Sequence, residues 1–297
     1  MQTVEISARL FGPVTFLRNG EPVALPHTCV AVFARLLVNH GKPVDRHRLA
    51  GLVGADCPDD AARKRLNTTV WRLRRVLEPR DSAEPVLAAT PQSLAVSCES
   101  WVDAVEFEAA CGHPGDPRDW TQEDADRLVG GLALYRGSFL DGFSDEWSLA
   151  ERGRLADLHL TALVRLAQWH RLRGDTERVI ELARLAVGAE PLREDLHRLL
   201  MRAYIEAGLP ELAVTQLGRC RTLLHTELGV DPLPETVTAA YDVPSGSPSR
   251  DLAVRELHEL ELAQAELRRL SQQLSRSVHD LGVRQARLRS TLDPAAG

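Results

Sequence analysis

Six basic side chains fall between positions 63 and 75: Arg63, Lys64, Arg65, Arg72, Arg74 and Arg75. No acid interrupts residues 61–77. Guanidinium and ammonium groups at this density suit a polyanion: they neutralise phosphates and release their counterions, and Arg can also read guanine edges. On a helix at about 100° per residue, Leu66, Val70, Leu73 and Leu77 share one face. Lys64, Thr68, Trp71, Arg72 and Arg75 lie opposite, with Asn67 on the flank. The candidate contact set is Arg63, Lys64, Asn67, Thr68, Trp71, Arg72 and Arg75. Backbone N–H groups at the helix start could add to it. The plainer reading of the same pattern is a basic surface helix that docks on an acidic partner domain. Trp71 points outward, towards a neighbouring domain, a second subunit or a DNA backbone.

Charge along the chain agrees with a local polyanion site. The 297 residues carry a formal charge of -6, yet residues 1–100 hold 13 Lys+Arg against 10 Asp+Glu. The excess of acid therefore lies beyond residue 100, and charge asymmetry of this kind marks one part of a chain for a polyanion.

The elements that must carry the basic stretch can be read on either side of it. "VEISARL", "VTFL" and "PVALP" read as short strands, with Asn19-Gly20 as a hairpin turn. Helical spacing runs from His27 to His40 and stops at Gly41, and "RHRLAGLVG" reads as a second short helix. Asp59 or Asp60 would cap the third helix. "PVLAAT" and "SLAVS" form a small hairpin around Pro91-Gln92. Residues 1–100 are thus expected to form an α+β unit of strands, three helices and a terminal hairpin, whose basic third helix could meet double-stranded DNA.

Residues 101–120 read as a linker rich in Gly, Pro and Asp, and the chain beyond them as all helix to residue 242. Leu166, Gly174 and Ile180 recur 34 residues later as Leu200, Gly208 and Val214. That is the length of the tetratricopeptide (TPR) repeat, so 101–242 are expected to form a TPR-like domain. Residues 243–250, "VPSGSPSR", read as a linker. Beyond them Leu260, Leu267, Leu274, Leu281 and Leu288 keep heptad spacing. Residues 251–292 are therefore expected to form a long helix, a coiled-coil candidate able to make a homodimer. Polar Gln264, Ser271 and Gln285 weaken that seam.

Other chemistry finds no footing in the pattern. The ten His lack metal spacing, and His197 and His225 read as packing or surface residues. The five Cys are far apart with no C-x-x-C, which fits a reducing cytoplasm. The acids Glu123, Asp124 and Asp126 open a helix, where they suit its dipole. "GFSDEW" reads as a helix start capped by Ser144 or Asp145 and not as a nucleophile turn. No membrane span, signal peptide, metal, cofactor or catalytic constellation is expected, and the chain reads as a non-enzyme.

A family resemblance sharpens this reading. Strands, three helices and a hairpin, in that order, resemble the winged helix-turn-helix of OmpR-type response regulators, which implies that residues 1–100 form an α+β winged helix-turn-helix DNA-binding domain. "LNTTVWRLRRVLEP" is similar to the recognition-helix ending of the Streptomyces antibiotic regulatory proteins, the SARP family. "LYRGSFLDGF" followed by "EW", "PLREDLHRLLMRAYIEAG" and "LLHTELGVDPLPET" resemble that family's bacterial transcriptional activation domain. The resemblance covers about residues 4–242. It implies a transcriptional activator that binds direct repeats near promoters, recruits RNA polymerase and serves secondary-metabolite gene clusters. The wing departs from the family pattern: it reads "TPQSLAV" in place of a Gly-Tyr-aliphatic turn. A second reading is a protein-interaction or signalling adaptor whose winged domain has lost DNA binding. It is favoured by the atypical wing, the net acidity and the heptad tail.

Overall fold

A computed structural model of the chain describes residues 4–39, 41–78, 85–112, 115–242 and residue 269. The expected linker at 243–250 and, Arg269 aside, the heptad segment at 251–292 lie outside the described residues. The chain divides into two compact units, Met1–Ala189 and Glu190–Gly297.

The first unit opens with strands β1 (Glu5–Arg9), β2 (Thr15–Arg18) and β3 (Glu21–Val23). Asn19 and Gly20 both take positive φ in the β2–β3 turn, and the Asn19 side chain accepts from the Glu5 N–H at 2.8 Å. Three helices follow: α1 (His27–Val38), α2 (Arg46–Gly54) and α3 (Asp59–Leu77), with β4 (Val44–Asp45) between the first two. Then β5 (Leu87–Ala89) and β6 (Ser93–Val96) pair antiparallel, with β4 on the other edge of β6. This is the expected hairpin. Thr90 builds its turn, with a hydroxyl that accepts from the N–H groups of Gln92 and Ser93 at 3.2 and 2.9 Å.

The stretch expected to be a linker contains regular structure. β7 (Glu99–Val102) pairs parallel with β1, completing a sheet of order β3-β2-β1-β7. Helix α4 (Asp103–Cys111) follows without a break. Asp103 is fully buried, and its carboxylate accepts from the N–H of Leu10 at 2.8 Å and of Phe11 at 3.2 Å. The Phe11 ring sits 5.3 Å from Phe107 and 4.7 Å from Tyr135. The N-terminal module and the helices that follow it within the first unit therefore share one hydrophobic core.

Helix α5 (Gln122–Leu132) starts with a capping box between Thr121 and Asp124. It crosses α4 closely: a Cβ on Gly131 would lie 2.6 Å from that of Ala110. Asp145 is the N-cap of α6 (Glu146–Leu172), and its side chain accepts from the Ser148 N–H at 3.0 Å. Ahead of it, Leu140 holds a left-handed φ of 45°. Arg152 steadies this turn by donating to the carbonyls of Phe139, Leu140 and Phe143. Helix α7 (Thr176–Ala189) packs against α6.

The second unit contains α8 (Glu194–Glu206), α9 (Pro210–Leu228) and α10 (Pro234–Ala239), with α9 and α10 both packed on α8. His197 is buried, bonded to the Pro191 carbonyl and to Gln216, which makes it a packing residue; His225 is exposed. The 34-residue interval has a structural counterpart. Gly174 and Gly208 both take φ 74°, and the residue after each donates back to a carbonyl five positions earlier, His170 at 3.1 Å and Tyr204 at 2.8 Å. These are matching left-handed C-caps. Trp169 and Tyr204, at neighbouring places in the two repeats, are both buried.

Candidate nucleic-acid interface

Helix α3 buries Ala62, Leu66, Thr69, Val70, Leu73 and Leu77. The four expected apolar positions are among them, and burying each such side chain stabilises by about 1.5–3 kcal/mol. α3 begins hard against the end of α2. A Cβ on Gly54 would come within 2.9 Å of Ala62, so a glycine is what lets the two helices meet there.

The remaining face is open. Arg63, Lys64, Asn67, Thr68, Trp71, Arg72 and Arg75 are all exposed, and Trp71 keeps 57% of its surface in solvent. The Arg75 guanidinium lies over the Trp71 ring, 5.4 Å from its centroid. The Thr68 hydroxyl donates to the Lys64 carbonyl at 3.1 Å, which leaves its oxygen lone pairs facing outward. Asn67 receives a hydrogen bond from Arg46 Nη2, a residue of α2 that the linear pattern did not single out.

Two details correct the expected geometry. The N-cap of α3 is Pro58, with no side-chain cap; Asp59 and Asp60 occupy the first turn. Proline's fixed φ near -60° already suits this entry to a helix. The Pro58 carbonyl accepts from Ala61 and Ala62, so two backbone donors at this end are taken and two carboxylates stand beside them. That is a poor seat for phosphate. Arg74 turns away from the open face: it donates to the Leu87 carbonyl of β5 at 3.0 Å, while Glu78 accepts from the Leu87 N–H at 3.2 Å. Together they fasten the end of α3 to the wing. Arg18 adds a bond to the Val76 carbonyl at 2.7 Å.

Burial disfavours the thiolate form at four cysteines. Burial pushes Cys98 up to about 11, Cys111 up to about 12 and Cys220 up to about 11, so each stays protonated. Burial also raises Cys29, against the pull of the nearby Arg72 charge. Among the described residues no group of three His, Cys, Asp or Glu could hold a metal ion, and no helix is long and apolar enough to cross a membrane.

Comparison with known proteins gives this surface a setting. A family model described as the bacterial transcriptional activator domain matches residues 102–243. The regulatory protein AfsR of Streptomyces coelicolor is 29% identical over 286 residues; the match takes in 96% of this chain and 28% of AfsR, so the chain spans little more than a quarter of that relative. The transcriptional regulatory protein MoaR1 of Mycobacterium tuberculosis is 27% identical, over 80% of this chain and 78% of its own length. The solved structure of Mycobacterium tuberculosis EmbR, in complex with a low affinity phosphopeptide, has the same fold. It superposes with a TM-score of 0.65 at 22% identity, over 90% of this chain and 72% of that one. With a match to the bacterial transcriptional activator domain over residues 102–243, behind a module of strands, three helices and a hairpin, the chain is similar to the SARP-type transcriptional regulators.

Proposed function

We propose that the chain is a sequence-specific DNA-binding activator that lays α3 in the major groove of a promoter. The carrying observation is the exposed face of α3 beyond its first turn, where no acid occurs from residue 61 to 77 and Arg63, Lys64, Arg72 and Arg75 turn to solvent around Asn67, Thr68 and Trp71; Asp59 and Asp60 are confined to the first turn. A solvated helix face normally mixes both signs, whereas a groove-reading face needs cations for phosphates and amides or hydroxyls for base edges.

The helices after residue 102 form, in this reading, a TPR-like platform that contacts RNA polymerase. The heptad leucines of 251–292 would pair two chains on adjacent direct repeats, linking two modules and raising their effective concentration. Secondary-metabolite genes are the proposed targets, in keeping with the resemblance to the SARP family.

Electrophoretic shift on the chain's own upstream DNA across a salt series tests the reading. The wild type should bind with an affinity that falls steeply with salt. A variant lacking Lys64, Arg72 and Arg75 together should lose most of that binding. Equal affinity of the two for every promoter tried would instead favour the adaptor reading.

A further inference from the structure

Asn67 is the one candidate contact whose side chain can present two opposite faces to a base. Its amide carries an acceptor, Oδ1, and a donor pair, Nδ2, and a free surface amide rotates between them. Here the oxygen is engaged by Nη2 of Arg46, and a guanidinium can only donate.

Arg46 is well placed to hold it. It is the first residue of α2, directly after the N-cap Asp45, whose carboxylate accepts from the N–H groups of His47 and Arg48 at 2.8 and 3.2 Å. Its own N–H donates to the carbonyl of Gln92 in the wing turn at 2.9 Å. Arg46 thus has its backbone fixed by α2 and the wing while its side chain crosses to α3. It is half-buried, whereas Asn67 is exposed.

We propose that Arg46 is a positioning residue for base readout: it locks the Asn67 amide with Oδ1 turned towards α2 and Nδ2 presented to the DNA. Asn67 then reads as a donor. It favours base edges that offer acceptors in the major groove, which are N7 and O6 of guanine, N7 of adenine and O4 of thymine. It disfavours the amino edge of cytosine, and it forgoes the paired contact to adenine N6 and N7 that needs the amide oxygen as well. The inference rests on the reading that α3 enters a DNA groove.

The test uses the full chain. A bound site is first selected from a pool of randomised duplexes, and affinity is then measured for all four base pairs at each position of that site. The wild type should discriminate about tenfold or more against cytosine at one position. Asn67→Ala should flatten the preference at that position. Arg46→Ala, and Arg46→Gln as a second variant that keeps some packing, should flatten the same position, and the double variant Arg46→Ala with Asn67→Ala should be no flatter than either alone. Two results would overturn the proposal. One is an Arg46→Ala variant that weakens every sequence equally and lowers the salt slope by about 1 with base preference intact, which makes Arg46 a phosphate contact. The other is an Asn67→Ala variant with unchanged preference. A wild type that enriches no duplex from the pool defeats the DNA reading itself, and is recognised before any variant is made.

Discussion

The carboxylate of Asp103, at the first turn of α4, accepts a hydrogen bond from the Leu10 N–H at the end of β1, 2.8 Å away across 93 residues of sequence. Phe11 donates to the second oxygen. The Ala104 N–H donates as well, at 2.8 Å, so removing the carboxylate strands three buried donors. Asp103→Ala should cost about 3 kcal/mol or more, at about 1 kcal/mol or more for each unsatisfied N–H group. Asp103→Asn should cost less, since one amide oxygen still accepts. Chemical denaturation of the full chain reads the difference, and an Ala variant as stable as wild type would mean that this joint carries no strength.

Arg72 and Arg74 are two residues apart and should behave oppositely. Arg72 is exposed on the open face, while Arg74 is spent on the Leu87 carbonyl. Arg72→Ala should leave melting unchanged and reduce the salt slope of DNA binding by about 1, or cost about 1–3 kcal/mol if it reads a base. Arg74→Ala should destabilise by about 1 kcal/mol with little change in salt slope. The reverse pattern would exchange their roles.

His159 stacks on Tyr135 with ring centroids 4.1 Å apart, and burial holds its pKa below the ordinary 6.5. Above that value the ring is neutral whether the chain is folded or not. As pH falls through it, the unfolded chain takes up a proton that the folded chain resists, so stability drops until the folded ring protonates too. Thermal unfolding at pH 7.5 and 5.5 should show a smaller loss for His159→Phe, which keeps the stack without the titration. An identical loss in both proteins would place the pH response elsewhere.

The glycine pair in α5 offers a matched comparison. A Cβ at Gly130 meets nothing within 4 Å, whereas one at Gly131 collides with Ala110 and Cys111 of α4. Gly130→Ala should stabilise by up to about 1 kcal/mol through helix propensity. Gly131→Ala should destabilise by about 1–3 kcal/mol through overpacking. Melting temperatures of the two variants, shifted in opposite directions, would confirm the contrast.

Local pattern made much of this architecture legible. Leu66, Val70, Leu73 and Leu77 announced the buried face of α3 because a helix with one wet side must repeat its apolar residues at 3.6. Asn19-Gly20 announced its turn because few other pairs tolerate two positive φ values. What stayed hidden depends on distant partners. β7 has only four residues, and its strand character comes from pairing with β1 more than 90 positions earlier. Helix α4 is nine residues long and starts with an Asp that is buried only because Leu10 and Phe11 need acceptors. Arg46 escaped notice among the candidate contacts for the same reason: nothing near position 46 signals that Asn67 lies within its reach. Arg74 belongs to the basic run by composition, and only the fold shows that it serves the wing.

The exposure of Trp71 has an optical consequence. Of the five tryptophans, Trp71 alone is exposed; Trp101, Trp120 and Trp147 are half-buried and Trp169 is buried. Red-shifted emission and quenching by dissolved iodide therefore report chiefly on the centre of the α3 face, and the cations around it draw the quencher in. Anything that covers that face shields the indole, so the chain carries an intrinsic fluorophore that registers occupancy of α3 without a label.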